Sequence, residues 1–285
     1  MKSLTSPRQL KELLDRHGFH FRKSLGQNFL IDENILNKIV DGAGISKEDF
    51  VLEVGPGAGT LTRALASRAK KVAAVEIDNR LISILSETLG GYNNVELIQA
   101  DILKLDIKEL VDNVFDGQSF KLVANLPYYI TTPIIMRFLE EGHPFETMVV
   151  MLQREVAERM MAASGSKEYG ALSIGVQFYT KPRLITRVPA SVFMPPPKVG
   201  SIVLALDKRV EPAVRVKDRG AFFSLVKAVF SQRRKTLLNT IYASKISDME
   251  KDDLRLRLKE LGIDPQRRGE TLSLEELSKM SNKLL

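Results

Sequence analysis

Strand-like and helical segments alternate between residues 50 and 206, and this alternation constrains the fold more than any other feature of the sequence. The strand-like segments are short runs of nearly continuous apolar residues, as expected for strands that are buried on both faces. They span residues 50–54, 72–77, 95–99, 121–124 and 148–152, with helical patterns between them. Such alternation predicts a doubly wound α/β fold with a parallel sheet, which later runs at 183–188 and 201–206 would complete.

The two ends of the chain differ from this central part. A short helix is predicted over residues 5–17, and Asp32 is expected to cap the helix that follows. After residue 207 the sequence changes to amphipathic helical patterns, at 218–243, 248–261 and 273–284. We therefore predict one domain over residues 1–210, in which residues 1–49 form a helical and basic extension. A small all-helical domain is predicted over residues 211–285.

The charge of the chain is unevenly distributed. The protein has 42 basic and 35 acidic residues, a net charge of +7. Residues 1–30 and 207–285 carry net charges of +4 and +6, whereas residues 31–206 carry −3. A weakly acidic centre between basic ends suggests a small-molecule site flanked by surfaces that bind a polyanion. Surface charge that only keeps the protein soluble would explain the same distribution.

Residue types that the sequence lacks exclude several classes of protein. There is no cysteine, which excludes disulfides, thiolate metal sites and cysteine nucleophiles. Three scattered histidines are too few for a zinc site, so we expect no metal. No apolar stretch approaches the roughly 20 residues of a membrane span, and no secretory signal is recognisable. We therefore expect a cytoplasmic protein without a membrane partner and, because coiled-coil heptads are not visible, a monomer.

A glycine-rich loop at residues 55–59 joins the first strand of the predicted sheet to a helix. Its sequence, Gly-Pro-Gly-Ala-Gly, differs from the G-x-G-x-x-G pattern of nicotinamide-binding folds because the third glycine comes one residue early. No lysine follows, which excludes a phosphate-binding P-loop. Gly55 and Gly57 allow the backbone to turn sharply and a ligand to approach it closely.

Two carboxylates follow the next two strands. Glu76 ends the second strand, 21 residues after Gly55, where a carboxylate can accept hydrogen bonds from both hydroxyls of a ribose. Asp101 follows the third strand and could accept a hydrogen bond from an adenine amino group, although it would serve equally well as a helix N-cap. The glycine loop, Glu76 and Asp101 together are typical of proteins that bind S-adenosylmethionine, and they predict that cofactor.

The fourth strand runs into the sequence Asn-Leu-Pro-Tyr at residues 125–128. The N6 amine of adenine is a poor nucleophile because its lone pair is delocalised into the ring. The side-chain oxygen of Asn125 and a nearby backbone carbonyl can each accept a hydrogen bond from N6, which favours a lone pair directed at a methyl donor. Tyr128 offers a face on which a flipped base can stack, worth roughly 1–3 kcal/mol. This motif predicts methylation of an exocyclic amine.

On these motifs the chain resembles the ribosomal RNA adenine dimethyltransferases over nearly its whole length, and most closely the bacterial small-subunit enzymes of that family. The resemblance also rests on residues 23–30, on the proline-rich segment 193–201 and on Arg-Arg-Lys at 233–235. It implies a Rossmann-like class I methyltransferase sheet in the catalytic domain and RNA binding by the helical C-terminal domain. It implies dimethylation of two adjacent adenosines in a hairpin loop near the 3′ end of 16S rRNA, with the pre-30S subunit as partner.

The resemblance also implies roles for particular residues. The cofactor-binding residues would be Asn28, Leu30, Gly55, Gly57, Glu76, Ile77, Asp101, Ile102 and Asn125. The residues at the target base would be Asn125, Leu126, Tyr128 and Phe193, with Tyr128 and Phe193 bracketing the flipped base. The RNA backbone would be contacted by Arg22, Lys23, Lys198, Arg233, Arg234 and Lys235.

Two other functions remain open at this stage. A large-subunit rRNA adenine methyltransferase that confers macrolide resistance would share the glycine loop and a similar Asn-Leu-Pro-Tyr turn, but the proline-rich segment and the basic helical tail favour the small-subunit enzyme. A ribosome assembly factor that has kept the fold without activity would be expected to lose Glu76 or Asn125, and both are present. A nicotinamide-dependent dehydrogenase is excluded by the spacing of the glycines.

Overall fold

The structure is a computed structural model that describes residues 3–21 and 26–285. The strands are β1 (Phe29–Leu30), β2 (Phe50–Val54), β3 (Lys71–Glu76), β4 (Val95–Gln99), β5 (Phe120–Asn125), β6 (Phe145–Gln153), β7 (Thr180–Val188), β8 (Phe193–Met194) and β9 (Ser201–Lys208). The helices are α1 (Pro7–Arg16), α2 (Glu33–Gly42), α3 (Thr60–Arg68), α4 (Asn79–Leu89), α5 (Ile107–Val114), α6 (Thr131–Glu140), α7 (Arg154–Met161), α8 (Ala171–Tyr179), α9 (Arg219–Phe230), α10 (Leu237–Ser244), α11 (Lys251–Glu260) and α12 (Leu274–Leu284).

The main sheet of the described residues has seven strands in the order β4-β3-β2-β5-β6-β9-β7. Strands β2 to β6 pair in parallel, and β9 runs antiparallel to β6. The chain order reverses between β2 and β5, and ligands of open α/β sheets bind beyond the carboxyl ends of the strands at such a point. The predicted α/β fold is confirmed, and the two late runs at 183–188 and 201–206 do join the sheet.

The local sequence explains how the first helices begin. Ser6 caps α1, with Pro7 as its first residue, and the side chain of Asp32 accepts a hydrogen bond from the backbone nitrogen of Ile35 at 2.9 Å, as predicted for an N-cap. Leucines on one face of α1 pack with Phe19 and with the buried side of α4. A second, two-stranded sheet pairs β1 antiparallel with β8, so that Leu30 lies opposite Phe193.

The contacts divide the chain into two compact units. The first contains the described part of residues 1–157 together with 183–208, and the second contains residues 158–182 and 209–285. The prediction assigned residues 158–182 to the first domain, whereas the structure places them in the second unit. The physical reason is packing, because Phe178 in this segment is fully buried and stacks on Phe222 with 5.2 Å between the ring centroids.

The second unit is helical and has its own apolar core. The single helix predicted at 218–243 is wrong, since α9 ends at Phe230 and α10 begins at Leu237. The intervening residues 231–235 are exposed, and a run of polar and basic side chains offers no apolar face to continue a buried helix. The predicted helices at 248–261 and 273–284 correspond to α11 and α12. Within the part of the chain that the structure describes, no helix has the length and apolarity to cross a membrane.

Candidate functional site

A cleft lies where the strands β2, β3, β4 and β5 end, at the edge predicted from the topology. It measures about 1010 Å³, counting the space that is open to solvent, and residues 26–30 form another of its walls. All nine predicted cofactor-binding residues line it: Asn28, Leu30, Gly55, Gly57, Glu76, Ile77, Asp101, Ile102 and Asn125. Leu126 and Tyr128 line it as well, so the fold brings most of the predicted site together.

The glycine loop is fixed by its surroundings as well as by its own conformation. Gly55 and Gly57 have φ angles of +70° and +61°, which are strained for any residue with a side chain. A Cβ atom on Gly57 would also lie 3.0 Å from the ring of Phe29. On the other side, the hydroxyl of Thr88 donates a hydrogen bond of 3.0 Å to the carbonyl of Ala58. The loop is therefore held between Phe29 on one side and Thr88 of α4 on the other, and it lines the cleft.

Glu76 is buried at the end of β3. Its Oε1 accepts a hydrogen bond of 2.9 Å from the backbone nitrogen of Asp78. Burial raises the pKa of Glu76, and hydrogen bonds from the backbone of Asp78 and Gly57 oppose this shift. The carboxylate is thus oriented at the cleft wall, as the predicted acceptor for ribose hydroxyls would need to be.

Asp78 is a second buried carboxylate beside Glu76, and sequence reasoning missed its importance. It caps α4 and accepts hydrogen bonds from the guanidinium of Arg80 and, at 2.8 Å, from the side-chain amide of Gln27. Burial alone would raise the pKa of Asp78, but the bonds from Arg80 and Gln27 outweigh it and hold that pKa below its usual value. Arg80 also donates to the carbonyl of His20 and lies over the ring of Phe19. Asp78 therefore connects Gln27 directly, and His20 through Arg80, to the end of β3.

Asp101 also lines the cleft and lies in a tight turn after β4. Its side chain accepts a hydrogen bond of 3.0 Å from the backbone nitrogen of Leu103, and its carbonyl accepts from the nitrogens of Lys104 and Leu105, both at 2.9 Å. Asp101 does not cap α5, because Asp106 has that role. The turn presents Asp101 and Ile102 to the cleft.

Arg137 on α6 binds the backbone of this turn. Its guanidinium donates to the carbonyls of Ile102 and, at 2.8 Å, of Leu105, while its Nε donates to Glu141 at 2.9 Å. Nothing in the sequence connects position 137 with position 102, so only the fold reveals this contact. Arg137 is therefore a positioning residue for the wall that carries Asp101.

Asn125 is the last residue of β5 and contacts Asn28. Its side-chain nitrogen donates a hydrogen bond of 3.0 Å to the carbonyl of Asn28. The nitrogen of Leu126 donates to the carbonyl of Met151 at 3.1 Å, and the hydroxyl of Thr131 donates to the carbonyl of Pro127 at 3.0 Å. Because its nitrogen is bound to Asn28, the side-chain amide of Asn125 is oriented and its oxygen is the acceptor that remains for a ligand.

Tyr128 and Tyr129 follow in the same turn and line the cleft. The hydroxyl of Tyr128 forms a hydrogen bond of 2.8 Å with the hydroxyl of Ser201, at the start of β9. Burial raises the pKa of Tyr128, with the bond to Ser201 acting in the opposite direction, so its hydroxyl stays neutral at physiological pH. Tyr129 is 52% exposed. Ser201 and Tyr129 were not identified as site residues from the sequence.

Phe193 is not among the residues that line the cleft. It is only 3% exposed, pairs with Leu30 through β8 and β1, and packs in the core of the first unit. In this conformation its ring supports the strand that carries Leu30. Its predicted contact with a flipped base stays a prediction.

The structure describes four of the six predicted RNA-binding residues. Arg22 and Lys23 lie outside the described residues. Lys198 is exposed, as are Arg233, Arg234 and Lys235 between α9 and α10. The guanidinium of Arg233 donates to the carbonyls of Lys167 and Tyr169, at 2.9 and 2.6 Å, so this side chain also stabilises the second unit.

Comparison with known proteins identifies relatives along the whole chain. The family model for ribosomal RNA adenine dimethylase matches residues 18–284. A protein of Alkaliphilus oremlandii named ribosomal RNA small subunit methyltransferase A is 53% identical and aligns with 100% of this chain and 99% of its own length. A protein of the same name from Bacillus mycoides is 51% identical, over 100% of this chain and 98% of its own.

Two solved structures are also similar. A dimethyladenosine transferase from Plasmodium falciparum superimposes with a TM-score of 0.74 at 28% identity, covering 89% of this chain and 95% of its own. The 23S rRNA methyltransferase ErmE superimposes with a TM-score of 0.68 at 26% identity, covering 90% and 99%. The predicted family and the predicted fold class are confirmed by these matches.

The role of Arg137 leads to a testable expectation. Replacing Arg137 with methionine keeps its packing but removes the hydrogen bonds to Ile102 and Leu105, which should weaken the local structure by about 1.5–3 kcal/mol. Backbone amides of residues 103–105, which bind Asp101, should then exchange with solvent at least about tenfold faster. Hydrogen exchange measured by NMR or mass spectrometry tests this.

The matched control is Glu141→Gln, which leaves both carbonyl contacts of Arg137 in place and should leave exchange at 103–105 unchanged. Equal exchange rates in Arg137→Met and the wild-type protein would show that Arg137 does not position this turn.

Proposed function

Because the chain belongs to the ribosomal RNA adenine dimethylase family, we propose that it transfers methyl groups from S-adenosylmethionine to N6 of adenosine in small-subunit ribosomal RNA. The substrate is two adjacent adenosines in a hairpin loop near the 3′ end of that RNA, each methylated twice on the pre-30S subunit. The observation that carries the proposal is the oriented amide of Asn125 at the wall of the cleft that Glu76 and Asp101 also line.

The groups that line the cleft fit S-adenosylmethionine, a nucleoside that carries positive charge. Glu76 would hold the ribose, Asp101 the adenine, and the backbone at Gly55 and Gly57 the methionine end. Glu53 adds a carboxyl group to this wall, and its buried Oε2 has no hydrogen-bond partner among the described residues. An unpartnered buried oxygen indicates a site that a polar or cationic ligand completes. When bound, S-adenosylmethionine supplies a methyl group on a positively charged sulfur.

Asn125 has the central role in the chemistry. Its oxygen would accept one hydrogen bond from the N6 amine of the target adenine, and the carbonyl of Leu126 would accept another. Both bonds turn the N6 lone pair out of conjugation with the ring and become stronger as positive charge develops on N6. With S-adenosylmethionine bound, its sulfonium would supply the methyl group and keep the electron pair of the methyl–sulfur bond, while Asn125 and the carbonyl of Leu126 would hold N6 in position to form the N–C bond. The methylated nitrogen is acidic and loses a proton to solvent, so no strong base is required.

Tyr128 would hold the flipped base. Its ring position is fixed by the hydrogen bond between its hydroxyl and Ser201. A fixed ring loses little conformational freedom when a base stacks on it, which is the physical basis of preorganised binding. Tyr128 therefore contributes to base capture, whereas Asn125 contributes to the reaction step.

The substrate is tested by offering the purified protein undermethylated small and large ribosomal subunits with labelled S-adenosylmethionine. Mass analysis of RNA fragments should find four methyl groups on two adjacent adenosines of the small-subunit RNA. Methyl transfer to large-subunit RNA instead would favour the macrolide-resistance type of enzyme, whose fold is represented by the similar 23S rRNA methyltransferase ErmE. No transfer to either subunit would favour an assembly factor without activity.

Asn125→Ala is expected to slow single-turnover methyl transfer by about 10²–10³-fold at saturating cofactor, because it removes a preorganised acceptor. Binding of RNA should stay near the wild-type level. The affinity for S-adenosylmethionine has to be measured in the same variant, since the bond from Asn125 to Asn28 is removed as well. Tyr128→Phe is the matched control, because it keeps the ring and removes only the bond to Ser201. The rate of methyl transfer in this variant should fall by only about 2- to 10-fold. A wild-type rate in Asn125→Ala would refute the role of this turn.

We further propose that the exposed basic turn between α9 and α10 binds the RNA backbone. Arg234 and Lys235 are exposed, and the residues from 207 to the end carry a net charge of +6. Contacts between basic side chains and phosphates release counterions, so binding weakens steeply as salt increases. Arg233 is a poorer test residue, because it also stabilises the second unit through Lys167 and Tyr169.

The double variant Arg234→Ala/Lys235→Ala should reduce the slope of log K against log salt by about 1 for each phosphate group that the protein no longer neutralises. Cofactor affinity should not change. The control is Arg255→Ala/Arg257→Ala, which removes the same charge from side chains that pair with Asp252 and Glu260. Salt slopes measured by fluorescence anisotropy that are equal in the wild type and the first double variant would contradict this surface.

A further inference from the structure

Glu53 is a carboxyl group in the centre of the sheet. It lies on β2, opposite Ala74 of β3 and Val123 of β5, and is 1% exposed. It nevertheless lines the cleft, two residues before Gly55 of the glycine loop. Its Oε2 is buried without a hydrogen-bond partner, and so is the Oγ1 of Thr62 on α3. A buried ionised carboxylate without partners would cost several kcal/mol, and a protein avoids that cost by keeping the group protonated.

The surroundings of Glu53 contain no compensating positive charge among the residues that the structure describes. Glu76 faces it from β3 and is itself a carboxyl group, and Asp78 follows at the start of α4. The guanidinium of Arg80 is bound to Asp78 and to the carbonyl of His20. Thr62 on α3 lies close enough to Glu53 to lower its pKa but forms no hydrogen bond of normal geometry with it. Burial dominates, and it raises the pKa of Glu53 to about 8.

S-adenosylmethionine would bring positive charge into this environment, from the ammonium group of its methionine end and from its sulfonium. A cation beside two carboxyl groups favours their ionised form and lowers their pKa values. Of these two carboxyl groups, Glu53 should undergo the larger change in pKa, because it is more deeply buried and has the unpartnered oxygen.

We propose that Glu53 is a proton-linked acceptor for the positive charge of the cofactor: the free protein holds it as a neutral acid, and cofactor binding releases its proton to solvent. The O–H bond of the carboxyl group breaks, the proton goes to buffer, and the carboxylate that remains is balanced by the bound cation. This inference rests on the proposed function, since it requires that S-adenosylmethionine binds in the cleft. It makes cofactor affinity depend on pH in the neutral range.

The test is isothermal titration calorimetry of S-adenosylmethionine with the full chain, without RNA, in phosphate and in Tris at pH 7. The difference between the two buffers gives the number of protons released. For a pKa of about 8, the wild-type protein should release close to one proton. Its dissociation constant should fall about ninefold between pH 6 and pH 7, as follows from linkage.

Glu53→Gln should release no proton and show no such pH dependence, because its side chain is neutral throughout. Thr62→Val is the matched control: it changes a buried neighbour of the same carboxyl group, keeps Glu53 itself and should keep the proton release. The ligand's own α-amine, with an ordinary pKa of about 7.7–8.0, is already mostly protonated at pH 7, so its titration changes the count by only a small fraction of a proton.

Two outcomes would overturn the proposal. One is binding of S-adenosylmethionine to the wild-type protein without proton release; the other is undiminished release in Glu53→Gln, which would assign the proton to Glu76. Failure of every variant to bind S-adenosylmethionine would instead contradict the proposed function.

A second readout needs no cofactor. In the folded protein Glu53 keeps its proton up to a pH of about 8, whereas in the unfolded chain it ionises near pH 4.5. The folded state then binds more protons within that window, so the stability of the wild type relative to Glu53→Gln should fall as pH rises from about 5 to 8 and level off above. A difference in unfolding midpoints that is independent of pH would show that Glu53 is not neutral in the free protein.

Discussion

The hydrogen bond from the side-chain nitrogen of Asn125 to the carbonyl of Asn28 joins two parts of the chain that are 97 residues apart. On one side is the end of β5, next to the point where the order of the sheet reverses; on the other is the segment that covers the glycine loop through Phe29. The bond joins two residues that line the cleft and orients the oxygen that would accept from the target amine. In the proposed function, cofactor binding and methyl transfer would therefore both depend on this contact.

The two proposed ligands carry opposite charges, and so do the parts of the chain that are proposed to bind them. Glu53, Glu76 and Asp101 give the cleft carboxyl groups that suit a cationic cofactor, whereas residues 207–285 carry a net charge of +6 that suits RNA. Burying carboxyl groups around a cation-binding cleft has a cost in the free protein, and protonation of Glu53 is the way in which that cost would be reduced.

The parts of the molecule that repeat a simple pattern were predictable from the sequence. The α/β alternation predicted the sheet, the Asp32 cap predicted the start of α2, and the family resemblance was confirmed by full-length relatives. The helix predicted at 218–243 was wrong because apolar residues recur at helical spacing on both sides of the break, whereas the six residues at 231–236 are all polar or basic. Arg137, Asp78 and Ser201 were missed for another reason. Each acts through a contact that is distant in sequence, and local patterns carry no information about such contacts.

We propose that one cleft at the carboxyl ends of β2 to β5 holds the cofactor beside Asn125. The most direct measurement is a crystal structure of the protein with S-adenosylhomocysteine, the product form of the cofactor. The ribose hydroxyls of the ligand should lie at Glu76, its adenine amine at Asp101 and its sulfur on the side of the cleft that carries Asn125. Density for the ligand outside this cleft, or inside it with the ribose away from Glu76, would contradict this cofactor site.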